Sequence, residues 1–246
     1  MSAAKKRAAK TAARRPAAPK SAARKPARPR VKVLRGEALV AHAREIQRRL
    51  ALAYPDAHCE LDHRNPFELA VATVLSAQCT DKRVNMVTPE LFRRWPDAAA
   101  LDAAPIEEVE EVIKSTGFYR NKAKSIKGLA RRLLEHHGGE LPSTMDELVV
   151  LPGIGRKTAN VVLGNAFGKN EGVVVDTHVA RLSARFGLTK ETDAVRIERA
   201  LMPLFARDSW AQLSHLMIWH GRRTCDARKP KCNDCVLVDV CPSATP

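Results

Sequence analysis

Apolar residues recur at helical spacing in one segment after another between residues 36 and 220, and only GVVVD, residues 172–176, has the composition of a strand. One strand makes no sheet, so the folded part is expected to be all-α, with short loops pairing neighbouring helices antiparallel. GEALVAHAREIQRRLALAY forms a first helix that stops before Pro55. Asn65 reads as an N-cap, with Pro66 in the first turn of the next helix. PIEEVEEVIKSTG opens on Pro and acids and closes at Gly117. NKAKSIKGLARRLLEHHGG places Ile126, Leu129, Leu133 and Leu134 on one stripe and ends at Gly138 and Gly139. TMDELVVL and RKTANVVLGNAFG flank a tight turn, and further helices are expected over about 177–186, 192–204 and 208–220. The chain has no repeat of solenoid length and no glycine-rich dinucleotide loop.

Charge is unevenly spread. Of 42 Lys and Arg, 13 lie in residues 1–35, which hold no acid; the remaining 29 face 27 acidic residues. The tail is Ala, Pro and cation, with too little apolar surface to offset ordering entropy, so residues 1–35 are expected to be disordered. A basic arm suits salt-sensitive polyanion binding, and an acid-free Arg/Ala-rich N-terminus is also compatible with organellar targeting. No apolar run approaches a membrane span and no signal-peptide core is present, which points to a soluble, cytoplasmic, nucleoid-associated protein with no membrane partner.

LPGIGRKTANVV, residues 151–162, interrupts the helical pattern. Pro152 ends one helix, and Gly153 and Gly155 permit backbone angles closed to other residues. Ile154 would plug the hairpin against its own two helices. A plain helix–helix turn has the same pattern. The turn also opens a new helix, whose first N–H groups have no intrahelical partner and, with the helix dipole, make a phosphate site that needs no side chain. Arg156 and Lys157 follow at once.

Lys157 lies in the first turn of that helix, where a cation is electrostatically disfavoured and the neutral, nucleophilic amine is correspondingly favoured. Amines attack sugar C1′ or an aldehyde to give a Schiff base. In VVVDTHVARL, Asp176 follows an apolar run and heads a helix, which makes it an N-cap. A carboxylate so held can also face the developing positive charge of an oxocarbenium-like sugar.

The C-terminal segment carries Cys225, Cys232, Cys235 and Cys241, four thiols within 17 residues. One C-x2-C pair with two outer cysteines on longer loops accepts either zinc or an iron–sulfur cluster on spacing alone. Between the first two lie Arg228, Lys229 and Lys231, a cationic loop suited to phosphate contact. Cys59 and Cys79 are expected to be buried reduced thiols.

Taken together, LSAQCTD, LPGIGRKTANVVL, VDTHV, HGRRTCDARKPKC and the four-cysteine spacing occur in the order in which they occur in the endonuclease III family of DNA glycosylase/AP lyases, which the chain resembles from about residue 37 to 242. The resemblance implies two helical domains flanking a DNA-binding cleft: a six-helix helix–hairpin–helix domain over 59–169, and an iron–sulfur domain from 36–58 and 170–246. It selects a [4Fe–4S] cluster on the four cysteines. It makes Lys157 the catalytic lysine, Asp176 the catalytic aspartate and Gln78 the side chain that fills the gap left by a flipped nucleotide. Phe118 takes the place of a wedge that is often Leu. Gly153, Gly155, Arg156, His178 and the three loop cations become DNA contacts.

The implied function is base-excision repair by a monomer acting on double-stranded DNA: removal of oxidised pyrimidines through a Lys157 Schiff base, then β-elimination 3′ to the abasic site. Two alternatives are an adenine-removing monofunctional glycosylase, which would usually lack the lysine, and a non-catalytic DNA-binding module, which would need no chemistry at Lys157.

Overall fold

The computed structural model describes residues 34–245. The expected disordered tail lies outside the described residues except at its last two positions. Among the described residues there are eleven α-helices and no strand, as the patterning requires.

Seven helices surround a first hydrophobic core: α2 (Pro66–Leu75), α3 (Asp81–Arg94), α4 (Ala98–Ala103), α5 (Ile106–Ile113), α6 (Tyr119–His137), α7 (Met145–Val149) and α8 (Arg156–Ala166). Helix α2 is its axis, because every residue from Phe67 to Leu75 is buried and α3, α6 and α8 pack around it. The second core is built by α1 (Gly36–Ala53), α9 (Thr177–Arg185), α10 (Ala194–Leu201) and α11 (Trp210–Arg223), joined by Leu237 of the C-terminal loop. Two connections, residues 54–65 and 167–176, run between the cores, so the groups on them and on the facing helix ends meet where the cores adjoin.

Local chemistry sets the helix ends. Asn65 accepts from the Glu68 N–H at 2.9 Å, with Pro66 in the first turn, as expected. Gly138 ends α6 at φ 59°, a left-handed cap that glycine adopts without a Cβ penalty.

Four features differ from the sequence reading. The run GVVVD forms no strand, although Gly172 to Val175 are buried; the Val174 N–H donates to the Ser214 hydroxyl at 2.9 Å, which satisfies it without a sheet. Leu134 is 39% exposed and leaves the α6 stripe to Ile126, Leu129 and Leu133. Helix α11 runs three residues past its expected end, to Arg223. Helices α3 and α4 were not anticipated: Pro89 interrupts the pattern of α3, yet Thr80 caps it and Val84, Val87 and Leu91 bury one face. Among the described residues no helix is long and apolar enough to cross a membrane.

Candidate active site

The hairpin between α7 and α8 forms as its sequence demands at Gly153 but not at Gly155. Gly153 has φ 80°, and a Cβ there would lie 3.0 Å from the Ser125 Cβ and 3.2 Å from a Val74 methyl. Gly155 has φ −91° and ψ 174°, extended backbone open to any residue, and a Cβ there would meet nothing. Its lack of a side chain therefore leaves open space in front of the α8 N-terminus rather than permitting a special angle. Gly155 is the N-cap of α8, so no side chain caps the first N–H groups of that helix. Ile154 is buried in the first core, the plug expected of it.

Lys157 is the second residue of α8 and exposed. Asp176 is the N-cap of α9 and accepts from the Val179 N–H at 2.8 Å. Both line one cleft of about 1040 Å³ between the two cores, together with Gln78 and His178. A smaller recess of about 100 Å³ also includes Lys157 and Asp176. Its walls bring in Cys59, Asp81, His215 and Trp219. An amine at one helix N-terminus and a carboxylate at another thus open on a common space, the arrangement that glycosidic cleavage by an attacking amine needs.

Part of the charge in this space is paired. Arg222 of α11 binds the carboxylates of Glu60 and Asp81, the latter at 2.7 Å. Burial lowers the His215 pKa to about 4, so its ring is neutral; it bonds the Asn165 carboxamide oxygen at 2.7 Å. The His178 ring lies 3.2 Å from an Arg181 nitrogen. Arg156, expected as a DNA contact, has its guanidinium on Glu198 at 2.8 and 2.9 Å.

Gln78 and Phe118 are both exposed, Phe118 at 64%, and both line a hollow of about 300 Å³ next to Gly153. Among the described residues they are the only non-glycine residues with positive φ, at 53° and 49°. That conformation costs roughly 1–2 kcal/mol per residue, so surrounding contacts must hold it.

The comparisons with known proteins agree with this geometry. Residues 71–207 match the family described as "HhH-GPD superfamily base excision DNA repair protein". The endonuclease III of a Synechocystis species is 57% identical over 202 residues, covering 82% of this chain and 92% of that protein. A non-covalent endonuclease III–DNA complex and a trapped endonuclease III–DNA covalent intermediate each superpose with a TM-score of 0.80 at 45% identity, covering 83% of this chain and 96% of theirs. This chain belongs to the endonuclease III family. It is a base-excision DNA glycosylase and AP lyase by that membership.

The endonuclease III cysteine loop follows α11. No disulfide joins any of the six cysteines, and Cys59 and Cys79 are partly exposed rather than buried as expected. Arg185 organises the loop: its guanidinium donates to the Cys225 sulfur at 3.1 Å and to the Asp226 and Ala227 carbonyls at 2.7 and 2.8 Å. Asp226 in turn accepts from the Arg228 and Lys229 N–H groups, leaving the side chains of Arg228, Lys229 and Lys231 exposed. The Leu237 N–H points at the Cys235 sulfur at 3.4 Å. Burial pushes the Cys235 and Cys241 thiols up, and the neighbouring cysteines push the same way. A cationic metal core would reverse that by binding thiolate. The all-sulfur donor set and its N–H···S donors fit an iron–sulfur cluster. Among the described residues, no three His, Cys, Asp or Glu side chains already converge on a single-ion site.

Four groups in or behind the site escaped the sequence reading: Lys122, Glu198, His215 and the Arg222 clasp. Only Lys122 left a trace, being a cation one turn before Ile126 on an otherwise apolar stripe of α6.

Proposed function

We propose that this chain excises oxidised pyrimidines from duplex DNA with Lys157 as the nucleophile. The observation that carries the reading is the shared cleft of Lys157 and Asp176, each at a helix N-terminus. The lesion leaves the base stack, at a cost of a few kcal/mol that damage reduces, and its sugar enters the cleft. The Lys157 amine attacks C1′ while the Asp176 carboxylate faces the positive charge that develops on the sugar. The base departs with the glycosidic electron pair, and a protonated Schiff base joins Lys157 to the opened sugar. Loss of the C2′ proton then expels the 3′ phosphate, cleaving the strand 3′ to the abasic site.

The uncapped N–H groups after Gly155 hold a flanking phosphate. Gln78 and Phe118 enter the duplex beside the extruded nucleotide. His178 lines the same cleft. Arg228, Lys229 and Lys231 contact phosphates further along the strand. Two helical domains, 59–169 and 36–58 with 170–246, flank the DNA, a division supported by the two separate cores. Cys225, Cys232, Cys235 and Cys241 would hold a [4Fe–4S] cluster, which supplies rigidity to the cationic loop rather than a redox step.

Borohydride reduction in the presence of an abasic duplex tests the nucleophile. The wild-type chain should form a covalent DNA adduct and K157M none. An adduct of undiminished yield in K157M would overturn the assignment.

A further inference from the structure

Lys122 is 5% exposed, and burial lowers the pKa of its ammonium, yet no carboxylate pairs with it. Its Nζ donates instead to two backbone carbonyls, Leu75 and Thr116, each at 2.8 Å. Leu75 is the last residue of α2, three before Gln78. Thr116 ends the 3₁₀ turn of residues 114–116, two before Phe118. One nitrogen therefore joins the two segments that carry the two strained, exposed side chains of the DNA-facing hollow. Lys122 is also fixed to the second of them directly, because its own N–H donates to the Phe118 carbonyl at 3.1 Å.

Capping alone explains this poorly. Leu75 and Thr116 are 0% and 2% exposed, so their carbonyls need a protein donor, yet two separate local caps would meet that need. A single buried cation that bonds both segments does what separate caps cannot: it fixes the distance between them. Left-handed backbone at Gln78 and Phe118 persists only where its surroundings over-determine it, and Lys122 is the polar link between the two turns.

We propose that Lys122 is a positioning residue for lesion interrogation, setting the spacing at which Gln78 and Phe118 enter the duplex. The proposal rests on the reading of those two residues as duplex-entering side chains.

Two substrates separate positioning from stability. Base excision from a duplex needs both side chains at their stations, whereas borohydride trapping on a single-stranded abasic oligonucleotide has no opposite strand to fill. K122M should slow single-turnover excision from the duplex by on the order of tenfold to a hundredfold, the scale of an ångström-sized misplacement. It should trap the single strand as the wild type does. Adding K122M to the Q78A/F118A double variant should lose nothing more on the duplex. Parallel loss on both substrates, or losses that multiply with Q78A/F118A, would overturn the proposal. Where K122M does not fold, K122Q, which keeps a neutral donor nitrogen, is read by the same criteria. If Q78A/F118A itself excises at the wild-type rate, the duplex-entry reading falls and the proposal with it. If Q78A/F118A is slow and K122M is not, only the role of Lys122 falls.

Discussion

Arg156 and Glu198 join helices of the two cores: the guanidinium donates to both carboxylate oxygens, at 2.8 and 2.9 Å, from the first residue of α8 to the middle of α10. Glu198 is buried and also accepts from the Asn160 amide at 2.8 Å. The connection to Asp176 passes so close that a Cβ on Gly172 would overlap the same carboxylate. One carboxylate thus braces both the helix bearing Lys157 and the segment bearing Asp176.

The two partners of this pair should not be equivalent in mutation. R156A leaves a buried carboxylate without its cation, a loss of about 3–5 kcal/mol. E198A leaves an arginine that reaches solvent, plus one unpaired amide, about 1–3 kcal/mol. Urea unfolding of the two variants gives the comparison, and an E198A chain less stable than R156A would contradict it.

This pair also marks what the sequence could not disclose. That Lys157 and Asp176 would each stand at a helix N-terminus was legible because the signals are local: a Pro-Gly-x-Gly turn before one, an apolar run and a helix start around the other. The all-helical architecture was legible for the same reason, through spacing within each segment. Arg156 to Glu198 spans 42 positions and Lys122 to Leu75 spans 47, and no local pattern announces a partner so distant. Gly155 misled in another way. Glycine was read as a need for left-handed backbone, whereas here it keeps a surface clear. GVVVD looked like a strand because a buried connecting segment selects the same β-branched residues whether its N–H groups meet a sheet or, as at Val174, the Ser214 hydroxyl.

The two hairpin glycines should separate stability from binding. G153A forces a side chain into left-handed backbone and against Ser125 and Val74, which should cost at least about 1–2 kcal/mol of stability. G155A meets neither obstacle and should be neutral or stabilising by up to about 1 kcal/mol through the unfolded chain. Its methyl group, however, stands where a phosphate would approach the α8 N–H groups, so DNA affinity should fall. Thermal unfolding and fluorescence anisotropy with an abasic-analogue duplex read the two effects. Full DNA affinity in G155A would remove the phosphate from that helix end.

Asp176 has a structural task and, in the proposed reaction, a chemical one, and two substitutions pull them apart. D176A loses the cap on α9 and should be destabilised by about 1 kcal/mol. D176N keeps a capping oxygen and should stay near wild-type stability. Both remove the negative charge facing the sugar, so both should lose excision by on the order of a hundredfold or more in single-turnover assays. D176N excising at the wild-type rate would reduce the residue to a cap.

His215 makes stability depend on pH in a definite direction. Its pKa is lowered from 6.5 to about 4, chiefly by burial, so the folded chain holds the ring neutral while the unfolded chain protonates it. Between those values the unfolded state binds more protons, and stability must fall as the pH drops from about 6.5 toward 4. The loss can reach roughly 1.4 kcal/mol per pH unit for one such group. The window for this effect lies between about pH 6.5 and 4. Urea midpoints measured across it should therefore decline steeply in the wild type and less steeply in H215Q. An unchanged slope in H215Q would mean that the ring takes up its proton in the folded state, placing a positive charge in the wall of the recess that Lys157 shares.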